Sequence, residues 1–322
     1  MSHHLVLGAG GAGRSTATHL VELGHTVTLA SRSGVVHDRP WEALDPGAVT
    51  IVAADASDAE QLTELASGAE SIINAINPPN YQSWDDVWPP VAAAVLAAAE
   101  RSGAGLVIVG CLYALGVVDA PMREDSPLNP NGHKGRLRER MWVDALASHQ
   151  AGRVRATELR ASDYIGPGVT KGASVANDYI ITPAARGRTV LLPMGRPDAP
   201  HTWTSVTDAG RLAATLATDE RAWGRVWHVP SNTPRTMREV AQDAAALADR
   251  PDPRILTFPR AGLTAMATVA PFARELLETR HQFERPFVMD STLTEATFGL
   301  TATPWTDVLE ETVVHRAARA SA

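Results

Sequence analysis

HHLVLGAGGAGRSTATHLVELG, residues 3–24, places an aliphatic run, a glycine-rich turn and a helical repeat in immediate succession. The run predicts a strand over His4–Leu7, and the repeat predicts a helix over Gly13–Leu23 that Gly24 stops. Gly8, Gly10 and Gly13, with Gly11 and Ala12 between them, fit the pattern G-x-G-x-x-G. Such glycines permit a tight turn, close backbone approach to a pyrophosphate, and helix–strand packing, while the helix start offers N–H donors and positive potential. Alone the pattern is weak. Inside a strand–turn–helix–strand unit it predicts a dinucleotide-binding loop.

Outward from this loop, aliphatic runs alternate with helical segments. Strands are expected at Val27–Ala30, Val49–Ala53, Ser71–Ala75, Leu106–Val109 and Ala156–Arg160, and a helix at Arg136–Ser148. Pro89 and Pro90 suit the first turn of another helix reaching Arg101. The implied fold is α/β, a Rossmann-type doubly wound parallel sheet. Beyond Gly168 the pattern becomes irregular and proline-punctuated, which predicts a smaller, discontinuous substrate domain. The division is residues 1–168 for the cofactor and 169–322 mainly for the substrate, with later segments returning to the main sheet.

Bulk properties exclude several classes. A chain of 322 residues with 44% hydrophobic and 20% charged residues suits a globular protein. A net charge of -7 argues against nucleic acid or an anionic membrane as partner. One cysteine excludes a disulfide framework, and no H-E-x-x-H or G-x-S-x-G motif supports a metal site or a serine hydrolase. The chain enters its first strand without a signal peptide, and no apolar run is long enough to span a bilayer, so a cytoplasmic location is expected. The expected assembly is a monomer or homodimer.

The end of the second strand selects between cofactors. NAD sites place a carboxylate there for the ribose 2′-hydroxyl, whereas NADP sites place cations for the 2′-phosphate. Here the residues are Ser31, Arg32 and Ser33, with Arg14 available as a second cation, so NADP(H) is expected. Asp55, followed by Ala56, is placed either to accept from the adenine amino group or to cap a helix. Ala75, Ile76 and Asn77 should border the cofactor.

Further motifs add a resemblance. EDSPLNP (124–130), LRASDYIGPG (159–168), GRPDAPHTWTSVTDAGR from Gly195, and GRVWHVPSN resemble segments of the extended and atypical short-chain dehydrogenase/reductases, the NAD-dependent epimerase/dehydratase type. The likeness extends over nearly the whole chain and breaks at the chemistry. That family's serine has Gly110 or Cys111 in its place, and its Y-G-x-x-K has Lys134-Gly135-Arg136-Leu137-Arg138. A one-residue slip brings His133 and Leu137 into register, and neither alignment restores the pair. Lys134 and Arg138 then face either a bound cofactor or acidic group, or solvent as part of a basic helix face.

Losing a positioned general acid costs about a hundred- to ten-thousandfold in rate. Hydride transfer tolerates that loss when the substrate carbonyl is already polarised, as beside a phenolic hydroxyl. The glycine loop, the NADP signature and the missing triad are similar to those of angucyclinone ketoreductases of actinomycete polyketide pathways. That resemblance implies an NADPH-dependent reduction of an aromatic polyketide carbonyl in antibiotic biosynthesis. Tyr113, Lys134 and Cys111 are the candidate catalytic residues, with Lys134 also a cofactor candidate. Tyr81, Tyr113, Tyr164, Met194, His201 and Trp203 are the candidate walls for a small aromatic substrate, and Trp84 and Trp88 lie nearby. A non-catalytic NADP sensor and a nucleotide-sugar epimerase or dehydratase remain the alternatives.

Overall fold

Aliphatic residues that alternate along short strands bury both faces of a central sheet, and that pattern organises the chain. The computed structural model describes residues 1–78 and 80–321, with side chains through residue 315. β1 (His3–Leu7) runs into α1 (Gly11–Glu22) and β2 (Thr26–Ser31). There follow β3 (Val49–Ala53), α2 (Ala59–Leu65), β4 (Ser71–Asn74), α3 (Trp84–Ser102), β5 (Gly105–Cys111), α4 (His133–Gln150) and β6 (Ala156–Ala161). The later chain adds β7 (Asp163–Ile165), α5 (Thr182–Ala185), β8 (Val190–Leu192), β9 (Pro200–His201), β10 (Trp203–Ser205) and α6 (Val206–Thr218). It continues through β11 (Val226–His228), β12 (Arg235–Thr236), α7 (Met237–Leu247) and β13 (Ile255–Thr257). Five helices close the chain: α8 (Arg260–Met266), α9 (Pro271–Thr279), α10 (His281–Glu284), α11 (Thr292–Phe298) and α12 (Trp305–Ser321).

Seven strands form a parallel sheet in the order β11-β6-β5-β4-β1-β2-β3. The chain winds outward from β1 to β3, crosses to β4 and winds outward again. A crevice therefore opens between the carboxyl ends of β1 and β4, the usual ligand position in such sheets. Val6, Leu29, Ile73 and Val107 point to one face, where α1 and α6 cover them. Leu5, Leu7, Ile72 and Leu106 point to the other, under α3 and α4. The period of two along each strand divides the core into these layers. A third cluster, built from Ile180, Leu192, Trp203, Val240, Phe283 and Trp305, holds the later segments together over the crevice.

Two helices differ from their sequence reading. α3 begins at Trp84, so Pro89 and Pro90 sit in its second turn; the burial of Trp84 and Trp88 one turn apart carries the helix upstream of the prolines. α4 begins at His133 rather than Arg136, after an extended Gly132. Among the described residues no helix is long and apolar enough to cross a membrane.

Three histidines are buried within this frame, His4, His201 and His228, and burial lowers the pKa of the first and last. His4 Nδ1 lies 2.9 Å from Ser71 Oγ, and burial together with the neighbouring His25 lowers its pKa to about 4. His228 Nδ1 donates to the Asp290 carbonyl at 2.8 Å, and burial lowers its pKa to about 4 as well. Below about pH 6.5 the unfolded chain binds protons that the folded chain refuses until about pH 4, so stability should fall across that window by roughly 2–3 kcal/mol per histidine. Melting temperatures should therefore drop between about pH 7 and pH 5, and His228→Gln should flatten part of the slope. A level profile in the parent protein would contradict this assignment.

Candidate active site

The glycine loop is shaped by what a β-carbon would strike. Gly8 has φ +102°, and a Cβ there would lie 2.7 Å from the Ala75 carbonyl oxygen. A Cβ on Gly13 would lie 1.8 Å from the Gly8 carbonyl, so Gly13 packs α1 against the strand and does not line the crevice. Gly10 has open space where its Cβ would be, and no side chain caps α1. The first N–H groups of α1 therefore face the crevice free for an anion, the arrangement a pyrophosphate needs. Gly8, Gly10, Gly11 and Ala12 line a cavity of about 980 Å³ that begins here.

The cavity wall continues through Ser31, Arg32, Asp55, Ala56, Ala75 and Asn77. Arg32 is exposed at the rim. Asp55 Oδ1 accepts from the Ser57 amide and hydroxyl at 2.9 and 2.7 Å, which holds its carboxyl below the usual range. It does not cap α2; Asp58 does, accepting from Glu60 and Gln61. Besides Gly13, two expected cofactor residues of this half lie off the wall. Ser33 accepts from the Val35 amide, and Arg14 is held by Asp38 and by the carbonyls of Ala9 and Gly168.

Around β5 and α4 the structure separates the two basic residues of the helix. Lys134 is 2% exposed, neither solvated nor on the cavity wall. Its ammonium pairs with Glu275 and, at 3.0 Å, with Glu278, both carried by α9. Its charge is committed to those two carboxylates, off the cavity wall, whereas the sequence makes it a catalytic and cofactor candidate. His133 pairs with Asp85 at the surface. Arg138 does reach the wall: its guanidinium lies 4.1 Å from the Trp88 ring centroid and 5.0 Å from that of Trp84, with Nε unpartnered.

Cys111 and Tyr113 both line the cavity. Burial pushes the Cys111 thiol up, against the pull of Arg138. Tyr113 and Tyr81 place their hydroxyls 2.6 Å apart. Burial raises both phenols above their ordinary range. One hydroxyl donates to the other, and the acceptor keeps a proton to offer as a hydrogen bond. Phenols held in this state orient an oxygen well and surrender protons poorly.

Gly110 explains the missing serine sterically. A Cβ there would stand 2.3 Å from Glu158 Oε1. Glu158 is itself fixed, its Oε2 accepting from Arg160 Nε at 2.7 Å with both side chains 2% exposed. The buried pair occupies the space that a side chain on Gly110 would need.

Tyr81, Tyr164 and Met194 also line the cavity. His201 and Trp203 do not. Trp203 turns into the third core cluster and donates its indole N–H to the Arg235 carbonyl. His201 sits behind Asp163, which does line the cavity. The sequence reading passed over Asp163 and Ser162, although both stand in the quoted RASDYIGPG segment. It also passed over Gln282, Phe283 and Phe287, which reach the wall from the far end of the chain.

Residues 8–163, just under half of the chain, match the family model described as NAD(P)H-binding. No curated protein matches the sequence significantly. Among solved structures, a dTDP-glucose 4,6-dehydratase of Streptomyces venezuelae with NAD bound is 18% identical, with a TM-score of 0.78 over 99% of this chain and 98% of that one. A dTDP-glucose 4,6-dehydratase of Bacillus anthracis in complex with NAD is 16% identical, with a TM-score of 0.80 over 100% and 98%. The UDP-glucose 4-epimerase of Thermotoga maritima with UDP-glucose is 15% identical, with a TM-score of 0.77 over 99% of each chain. The fold is thus the seven-stranded Rossmann-like α/β fold seen in these dehydratase and epimerase structures.

Gly110→Ser should fail to rebuild a catalytic serine, because its side chain would collide with a carboxylate that Arg160 holds in place. Overpacking of this kind costs about 1–3 kcal/mol, read as a lower denaturant midpoint at unchanged slope. A variant as stable as the parent would show that Glu158 yields freely.

Proposed function

We propose that this chain is an NADPH-dependent ketoreductase acting on a carbonyl of a polycyclic aromatic substrate, as in aromatic polyketide metabolism. The observation that carries this reading is the character of the cavity beyond the cofactor loop. Tyr81, Trp84, Tyr113, Tyr164, Met194, Phe283 and Phe287 supply its wall. Flat aromatic faces and thioether sulfur suit a planar polycycle. A nucleotide-sugar substrate would need cations for its diphosphate. Past Arg32, the cationic lining is Arg138, held between Trp84 and Trp88, and Lys171 at the exposed edge.

The glycine-loop amides would hold the pyrophosphate, and Arg32 with Ser31 the 2′-phosphate. NADPH, when bound, supplies a hydride. The Tyr81–Tyr113 pair donates a hydrogen bond toward a carbonyl oxygen, and the aromatic walls hold the ring system flat while excluding water. A substrate carbonyl already bonded to an adjacent phenol lowers the demand on these weak acids.

Turnover should appear as loss of NADPH absorbance with aromatic polyketide ketones or quinones, and not with nucleotide sugars. Arg32→Ala should raise the NADPH dissociation constant about tenfold or more and leave the weaker NADH affinity nearly unchanged. Equal affinities for the two cofactors in the parent protein would remove the NADP preference. Tight NADPH binding without turnover on any ketone or quinone would favour the sensor reading, since the cavity would then serve recognition alone.

A further inference from the structure

We infer that Asp163 and His201 together form the proton donor of this site, Asp163 meeting the substrate oxygen and His201 holding the proton behind it. This assignment rests on the ketoreductase reading and goes beyond it, because that reading leaves the source of the proton open.

The argument is a count of hydrogens. His201 Nδ1 lies 3.1 Å from the Gln282 carbonyl, which can only accept, so Nδ1 carries a hydrogen. His201 Nε2 lies 2.9 Å from Asp163 Oδ2. A bare Nε2 facing an ionised carboxylate would set two acceptors against each other at hydrogen-bond distance. One proton therefore lies between them, and the pair is either imidazolium with carboxylate or imidazole with carboxylic acid. Both forms hold one transferable proton.

Placement makes that proton usable. The His201 side chain is 2% exposed, stacked 4.9 Å from Phe283 at 5° and 5.3 Å from Phe287 at 25°, so it cannot turn away. Asp163 is 19% exposed and on the cavity wall, as are Ser162, Tyr164, Tyr113 and Cys111.

The step balances. The carbonyl carbon receives hydride, both electrons coming from the reduced dinucleotide, and the carbonyl oxygen receives the proton from Asp163. His201 keeps its Nδ1 hydrogen and is left as neutral imidazole beside a carboxylate, and water restores the proton before the next turnover.

Asp163→Asn is the informative variant. Its amide can donate to Nε2, so the wall geometry and the Nδ1 bond survive while the transferable proton is lost. With a ketone that the parent reduces, kcat should fall about a hundredfold or more, with KM and the NADPH dissociation constant within about threefold. Histidine-¹⁵N spectra, with the His201 signal identified by its loss in His201→Gln, should show both ring nitrogens protonated or sharing a proton in the parent. In Asp163→Asn only one should be protonated. Retention of kcat within about threefold overturns the proposal, as does a parent His201 carrying a single proton remote from Asp163. A parent protein inert toward every ketone removes the ketoreductase reading, and the histidine spectrum then decides the pair on its own.

Discussion

The contact between Gly13 and the Gly8 carbonyl sets the position of everything around the crevice. Only a residue without a β-carbon lets α1 start so close to the end of β1. Once it does, the uncapped amides of α1 point into the opening between β1 and β4. The same closeness joins the later chain to the sheet. A Cβ on Gly11 would stand 3.0 Å from both the Gly168 carbonyl and a Val206 methyl, and Ser15 donates to the Thr207 carbonyl at 3.1 Å. The loop shaped for a pyrophosphate is therefore also the joint against which α6 and the substrate wall are seated. Loosening it would displace both halves of the cavity together.

Local sterics and short periodicity made the sheet and the cofactor half legible in the sequence. Glycine spacing is read within six residues, and strand alternation within five. Arg32 needed only its place after β2. The other half of the site depends on partners that sequence distance conceals. Lys134 was a candidate because nothing in its own helix neutralised it; Glu275 and Glu278 do so from more than 140 positions away. Trp203 looked like a wall until the Arg235 carbonyl claimed its indole. Asp163 was hidden by its own context, since the residues after it read as a turn. His201 is a wall and proton-donor candidate from its residue type, but its pairing with Asp163 exists only in the fold.

The positions that align with the serine, tyrosine and lysine of the resembled family are packed against other groups. The space beside Gly110 holds Glu158, whose carboxyl is raised by burial and stabilised by Arg160 and Arg138. Arg138 itself is sheltered by Trp84 and Trp88. Buried charges of this kind are costly unless paired, and removing one member strands the others. Reintroducing the family's residues one at a time would meet a wall already committed to other contacts.

That commitment separates two jobs which one tyrosine performs in the usual family members. There, a neighbouring lysine lowers the phenol's pKa, so the same hydroxyl binds the carbonyl oxygen and gives it a proton. Here Lys134 is bound to glutamates, and burial moves the Tyr81 and Tyr113 phenols the opposite way. They keep their protons and still donate hydrogen bonds, which orients an oxygen without requiring acidity. In the proposed ketoreductase, delivery of the proton then falls to the Asp163–His201 pair, whose carboxylate stands on the same cavity wall.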